Sequence, residues 1–201
     1  VGGPGIDHDA AAYYPGWDYG SASDVGSLVA RYPTDLLAAF GAGALARDGD
    51  PTEAAGFDAT KHDARVDGGV EASQAYQADV LRTVAETARR RGLGAVAFAL
   101  RDTDDAAGMG VYAVDGEPKA GRDALAAAFQ PVQAFLVDPG SGGGEVVVVN
   151  DAPEALSATL SWEAGDASGE QDLTVDAAGR WSGAVDVPRG ADAVRLAVTV
   201  G

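Results

Sequence analysis

The sequence predicts two parts, an α/β segment followed by an all-β sandwich. Three observations lead there. Residues 35–129 read strand, helix, strand, helix, the rhythm of parallel α/β structure. After Pro131 the pattern changes to short runs divided by turns, the spacing of a β-sandwich. Between the two lies Pro139–Gly144 (PGSGGG), a linker by composition. The expected organisation is an α/β part over residues 1–131, a linker over 132–144 and a sandwich over 145–201.

Taken in order, residues 1–33 are rich in Gly, Tyr and Asp and read as loop. Asp35–Phe40 (DLLAAF) is a short apolar run stopped by Gly41, which reads as a buried strand. Residues 46–68 are polar and read as a long loop. Val70–Arg91 reads as a helix, because Tyr76, Val80, Val84 and Ala88 recur as one apolar stripe. Arg89, Arg90 and Arg91 fall in its last turn, where cations suit the helix dipole, and Gly92 is a natural stop. Ala95–Leu100 (AVAFAL) reads as a second buried strand. Pro118 opens a helix over Lys119–Phe129, in a first-turn position where its missing N–H costs nothing. Two strands are too few to close a barrel. The segment therefore belongs to a larger sheet, or something else covers its edges.

Beyond Pro131, Gln133–Val137 is compatible with a strand. Glu145–Asn150, Ala155–Glu163, Gln171–Val175, Arg180–Val187 and Ala193–Val200 read as strands. Ala158, Leu160 and Trp162 alternate with Thr159, Ser161 and Glu163, which suits a sheet with one wet face.

Charge excludes several classes of function. Among 201 residues, 31 are Asp or Glu and 14 are Lys or Arg, for a formal net charge of −17. Such a surface repels phosphate backbones and anionic membranes, so neither nucleic acid nor membrane is an expected partner. No apolar run approaches the ~18 residues of a membrane-spanning helix. There is no Cys, hence no disulfide framework and no thiolate chemistry. Lysine occurs only at Lys61 and Lys119, and Ala, Gly and Val fill much of the rest. Self-repulsion on this scale becomes tolerable when concentrated salt shortens the Debye length to ~3 Å. The composition reads as that of a halophilic archaeon, in a high-salt cytoplasm or outside the cell. The alternative is an acidic protein fitted to its own partner. The first residue is Val1, which suggests a processed product, a trimmed chain or a piece of a longer one.

Few side chains suggest a site by type alone. His8 and His62 are isolated in sequence, each beside aspartate, and too few ligands surround them for a metal, so no metal or cofactor is expected. After Asp102-Thr103-Asp104-Asp105 the Gly and distal Glu do not fall at the spacing of a calcium loop, so solvated acid is the reading. Ser21, Ser23 and Ser27 have no Gly-x-Ser-x-Gly context, and Ser141–Gly144 no phosphate-loop lysine. Trp162 and Trp181 fall in sandwich strands, where core packing is the commoner role and a sugar platform the rarer one.

Longer runs carry a resemblance. Tyr13–Gly20 (YYPGWDYG) resembles the Tyr-x-Gly-Trp-Tyr loop of family 2 glycoside hydrolases, which include β-galactosidases, β-glucuronidases and β-mannosidases. Asp35–Leu45 (DLLAAFGAGAL) is similar to the strand bearing their nucleophile, of the form apolar, Thr/Ser, Glu, Phe/Tyr, Gly. Tyr76-Gln77 and the residues after them resemble the helix before the last barrel strand. Gly94–Thr103 (GAVAFALRDT) is similar to that last strand, where the family has Trp-x-Phe/Leu-x-Asp. Gly110–Phe129 resembles the closing Gly…Asp…Pro-Lys segment with its helix, and Val147–Trp162 the sandwich that follows.

The resemblance implies the last third of a (β/α)8 (TIM) barrel over residues 1–131 and an immunoglobulin-like sandwich over 145–201. Active relatives would hydrolyse β-linked glycosides with retention, using two carboxylates ~5–5.5 Å apart. Here the nucleophile position, just before Phe40-Gly41, is Ala39, and a methyl group cannot attack an anomeric carbon. The acid/base glutamate follows an Asn in the family, and the only Asn in this chain is Asn150, in the sandwich. The chain is therefore expected to be non-catalytic. Natural loss, an engineered change and a shifted alignment all account for Ala39. Phe98 in place of the tryptophan and Ala38 in place of Thr or Ser favour natural loss. No Asn-x-Lys pattern is present, which disfavours glucuronides.

Tyr14, Trp17, Phe98, Asp102 and Asp104 are the implied sugar-binding residues. For Tyr14 and Trp17 loop packing competes with this role, and for the two aspartates plain acidic surface does. Expected partners are a β-linked carbohydrate and either a missing N-terminal barrel segment or a second copy of the chain. The alternative is a non-catalytic carbohydrate-binding or structural module.

Overall fold

The computed structural model describes residues 10–48, 51, 54, 57–137, 144–188 and 193–201. Contacts divide the chain into Val1–Phe129 and Gln130–Gly201. The first unit runs β1 (Ala10–Ala12), α1 (Val25–Arg31), β2 (Leu36–Phe40), β3 (Ala44–Leu45), α2 (Ala59–Asp63), α3 (Val70–Arg91), β4 (Gly94–Ala97), β5 (Ala107–Gly108) and α4 (Ala120–Ala128). Strands β1, β2 and β4 form a parallel sheet in the order β1-β2-β4, which does not close into a barrel. β3 and β5 make a short antiparallel ribbon.

Helix α3 supplies the core of this unit. Val80, Leu81, Val84, Ala85 and Ala88 are buried in one cluster with Leu37 and Phe40 of β2, and Ala95 and Ala97 pack against it. One layer of helices covers one face of a sheet. The other face is open: Val96, Phe98 and Leu100 are 51%, 52% and 73% exposed. The alanines of the run AVAFAL are only partly buried and its larger side chains are exposed, a correction to the strand expected to be buried. Parallel sheets ordinarily have both faces covered.

The ends of α3 follow its sequence, with Gly92 left-handed at φ +72° as the stop. Arg89 departs from expectation. It is 5% exposed, and its guanidinium donates to the Ala128 carbonyl at the end of α4 at 2.5 Å. Pro118 lies just ahead of α4, and Lys119 stands at its N-cap position without a side-chain capping bond. Part of the expected N-terminal loop is helical: the Ser21 N–H donates to the Asp24 carboxylate at 2.8 Å, and Val25 and Val29 of α1 are buried.

The second unit contains β6 (Val132–Val137), β7 (Gly144–Asn150), β8 (Leu156–Ala164), β9 (Ala167–Val175), β10 (Gly179–Val185) and β11 (Arg195–Val200). They form two antiparallel sheets, β10-β7-β6 and β11-β8-β9. Val146, Val148, Leu160, Leu173, Val175 and Val185 fill the core between them. β6 lies inside the expected linker, since all six of its residues pair with β7. Residues 138–143 of that linker lie outside the described residues. Buried Asn150 ties the turns: its Nδ2 donates to the Glu154 and Asp176 carbonyls, at 2.8 and 3.0 Å, and its Oδ1 accepts from Ala152. Trp162 and Trp181 both pack against the sandwich core. Their rings lie over Gly169 and Gly183, where an added Cβ would come within 2.2 and 2.3 Å.

Candidate functional site

Because β1, β2 and β4 run the same way, their C-terminal ends gather at one rim. In open parallel sheets that rim is where ligands bind. Tyr13 and Tyr14 follow β1, Ala39–Gly41 end β2, and Phe98 follows β4. The Tyr13 N–H donates to the Ala39 carbonyl at 3.0 Å, and the Phe98 N–H to the Phe40 carbonyl at 2.9 Å. Gly41 lies so close to the Phe98 carbonyl that a Cβ would sit 2.2 Å from its oxygen. Three of the six residues singled out from sequence, Tyr14, Ala39 and Phe98, belong to this rim. Residues 13–14, 39–41 and 98–100 include no carboxylate.

The other three have internal work. Trp17 is 3% exposed and packs against Phe57 with ring centroids 5.9 Å apart, so its faces are spent on the core. The Asp104 carboxylate accepts the Ala106 N–H at 2.9 Å, a local turn. Asp102 is 4% exposed and holds a buried ion pair with Lys119, Oδ2 to Nζ 2.8 Å, while its Oδ1 accepts the Gly110 N–H at 2.6 Å. Neither Asp102 oxygen is left for a sugar, nor is Asp102 acidic surface. Tyr14 is half-buried, and burial, then the Asp18 charge, pushes its phenol above the ordinary value.

Lys119 is the residue that sequence reading missed. Its side chain is 1% exposed. Besides Asp102, its ammonium donates to the Ala44 and Gly108 carbonyls at 3.3 and 3.2 Å. Burial pulls its pKa below the ordinary value, and the Asp102 hydrogen bond opposes that. With each ammonium proton facing an acceptor, Lys119 is a structural cation rather than a nucleophile. A signal existed: the chain keeps only two lysines among 14 cations, and a compact ammonium is what this cage accepts.

A second hydrogen-bonded chain, running from buried Ser73 and His62 out to exposed Asp63, joins α2, α3 and β3. His62 Nδ1 lies 2.9 Å from Asp63, and its Nε2 lies 2.8 Å from the Ser73 hydroxyl, which also accepts the Leu45 N–H at 2.9 Å. With Asp63 as acceptor Nδ1 carries the proton, and in the neutral ring Nε2 accepts from Ser73. The order Ser, His, Asp has the geometry of a hydrolase triad, but Ser73 is 0% exposed, so no acyl group can reach it. His8, with Asp7 and Asp9, lies outside the described residues. Among the described residues no three His, Asp or Glu side chains group as metal ligands, and no helix is long and apolar enough to cross a membrane.

No family model and no curated protein matches the chain. Solved structures do. The chain is similar to a β-D-mannosidase from Dictyoglomus thermophilum, with a TM-score of 0.69 and 14% identity over 93% of this chain. It spans 28% of that enzyme's length. An exo-chitosanase from Amycolatopsis orientalis matches 64% of this chain and 17% of its own, with 19% identity and a TM-score of 0.49. At 14% identity the likeness to the mannosidase is one of fold.

Proposed function

We propose that the chain is the C-terminal part of a retaining β-glycosidase of the family 2 type, from a halophile, and that this part alone turns nothing over. Its α/β unit is read as the last third of a (β/α)8 barrel, with an N-terminal segment or a second copy pairing at the edges of β1-β2-β4. The observation that carries the reading is the rim, where Tyr14, Ala39 and Phe98 stand at the C-terminal ends of parallel strands. That is where barrel enzymes keep their catalytic groups. The apolar face bearing Val96, Phe98 and Leu100 supports it, since a finished barrel would fill that face. Ala39 offers no nucleophile and the rim no acid, so what remains is a sugar-facing surface. Phe98 supplies the apolar plane on which a pyranose ring packs.

The test is an NMR titration of the chain with methyl β-D-mannoside in multimolar KCl, beside an assay with aryl β-glycosides. Shifts at Phe98 and Tyr14, with hydrolysis at the blank rate, are expected. An absence of shifts, or shifts confined to the sandwich, would leave a structural module. Hydrolysis well above blank that Ala39→Ser leaves unchanged would overturn the non-catalytic reading.

A further inference from the structure

We infer that Gln77 and Lys119 act together as a positioning pair, setting the distance between the rim residues that follow β2 and those that follow β4. The functional meaning of that distance rests on the reading of the rim as the sugar-facing site.

After β2 the chain continues through Gly41 to Leu45. After β4 it continues through Phe98 to Asp102, then returns through Ala107 to Tyr112. Two buried side chains from outside the sheet span these segments. Gln77, from α3, donates through Nε2 to the Ala42 carbonyl at 2.9 Å and the Gly110 carbonyl at 3.1 Å. Lys119, at the head of α4, donates through Nζ to the carbonyls of Ala44 and Gly108 at 3.3 and 3.2 Å. The pattern is regular. Carbonyls two residues apart on one segment are matched to carbonyls two apart on the other, in antiparallel order, as the Ala44 to Gly108 pairing of β3 and β5 requires.

Both residues contribute donors and nothing else. Gln77 is fully buried and its Oε1 has no hydrogen-bond partner, so the amide is kept for its two N–H groups. Lys119 adds a third bond, to Asp102, which holds the Gly110 N–H with its other oxygen. Asp102 lies four residues beyond Phe98 on the same segment, and that segment pairs with the returning one through Ala99, Val111, Tyr112 and Asp102. Gly41 meets the Phe98 carbonyl directly. Releasing either donor removes one of the two side-chain ties between Ala42–Ala44 and Gly108–Gly110 and leaves that end to the two-residue β3–β5 ladder, so the spacing relaxes and Phe98 shifts with it. Site groups displaced by an ångström lose function steeply, which is why such spacing needs rigid support.

The experiment needs no sugar, so its failure is separate from failure of the glycosidase reading. The full chain is labelled with 4-fluorophenylalanine at its five phenylalanines, and Phe98 is assigned by Phe98→Leu. Gln77→Met, Gln77→Glu and Lys119→Met are compared with the parent by 19F NMR at a temperature where each is folded. The Phe98 resonance should shift or split in each variant, while Phe135, in the sandwich, keeps its position. Gln77→Glu keeps the shape of the side chain but, as a buried neutral carboxyl, offers a single O–H donor in place of two N–H groups, so its Phe98 resonance should also leave the parent position, by no more than in Gln77→Met. A merely structural role lowers the melting temperature and leaves Phe98 where it was. That result in the folded variants overturns the inference, as does a Gln77→Glu spectrum identical to the parent's. Should Lys119→Met fail to fold, the Gln77 variants decide.

Discussion

In the sandwich the strands do most of their own bonding. β7 and β8 are each paired on both sides, over six to nine residues at a time. Asn150 is the one buried polar residue there among the described residues. In the α/β unit the ladders hold two or three residue pairs, and its described residues include eight that are polar and buried: Thr34, His62, Ser73, Gln77, Thr87, Arg89, Asp102 and Lys119. Four of them, Ser73, Gln77, Asp102 and Lys119, bond backbone groups of β3, β5 and the residues beside them. A buried carbonyl or N–H must be satisfied somewhere, and where the ladder stops the helices supply the partners. The contrast teaches that an irregular loop end can be as firmly specified as a sheet, by a few side chains whose loss should be felt locally.

The largest effect should therefore come from Lys119→Met. It leaves the Asp102 carboxylate, with a side chain 0% exposed, without its counter-charge. Breaking a buried pair from one side costs about 3–5 kcal/mol. Hydrogen exchange should show the amides of α3 and β2 losing protection while those of β8 keep theirs. Equal loss in both units would erase the contrast drawn above. The double variant with Asp102→Leu, which removes both charges, should recover part of the loss, the rest remaining because the buried Gly110 N–H loses its acceptor.

Asn150→Ala is the converse, at a smaller size. It removes donors from the Glu154 and Asp176 carbonyls and an acceptor from the Ala152 N–H. About 1–3 kcal/mol is expected, the cost of leaving such groups unpaired. The loss should appear in denaturant unfolding of the sandwich signal, followed through Trp162 and Trp181. An undisturbed midpoint would mean that the ladders hold these turns unaided.

The same contrast explains what could be read from sequence. Helix α3 was legible because Val80, Val84 and Ala88 repeat with the helix period and Gly92 ends it. β8 was legible because Ala158, Leu160 and Trp162 alternate with polar neighbours. β1 was not, since Ala10–Ala12 has no strand preference and is held by its register with β2. The two-residue strands β3 and β5 are too short to have a period at all. At the rim, Tyr14, Ala39 and Phe98 were accessible through longer motifs. The burial of Asp102 was hidden by composition, because in a chain with 31 acidic residues one more aspartate carries no signal. Only tertiary contact with a lysine 17 positions away gives it a role.

The smallest expected effect sharpens the comparison within α3 itself. Glu86 is half-buried, and burial raises its pKa above the ordinary 4.5, with Arg82, Arg90 and Arg89 opposing that rise. The folded state then holds the Glu86 proton more tightly than the unfolded state does. Its contribution to stability is complete below the ordinary carboxylate value and is lost as pH rises through the higher folded value. At neutral pH the charged Glu86 therefore works against α3, and Glu86→Gln should raise the melting temperature of the α/β unit. The gain should shrink to nothing as the pH is lowered past 4.5, because there the parent is already protonated. Taking the difference between parent and variant at each pH cancels the other carboxylates, and the sandwich transition serves as the internal reference. A gain of the same size at both ends of that range would mean that Glu86 is opposed by packing rather than by burial of its charge.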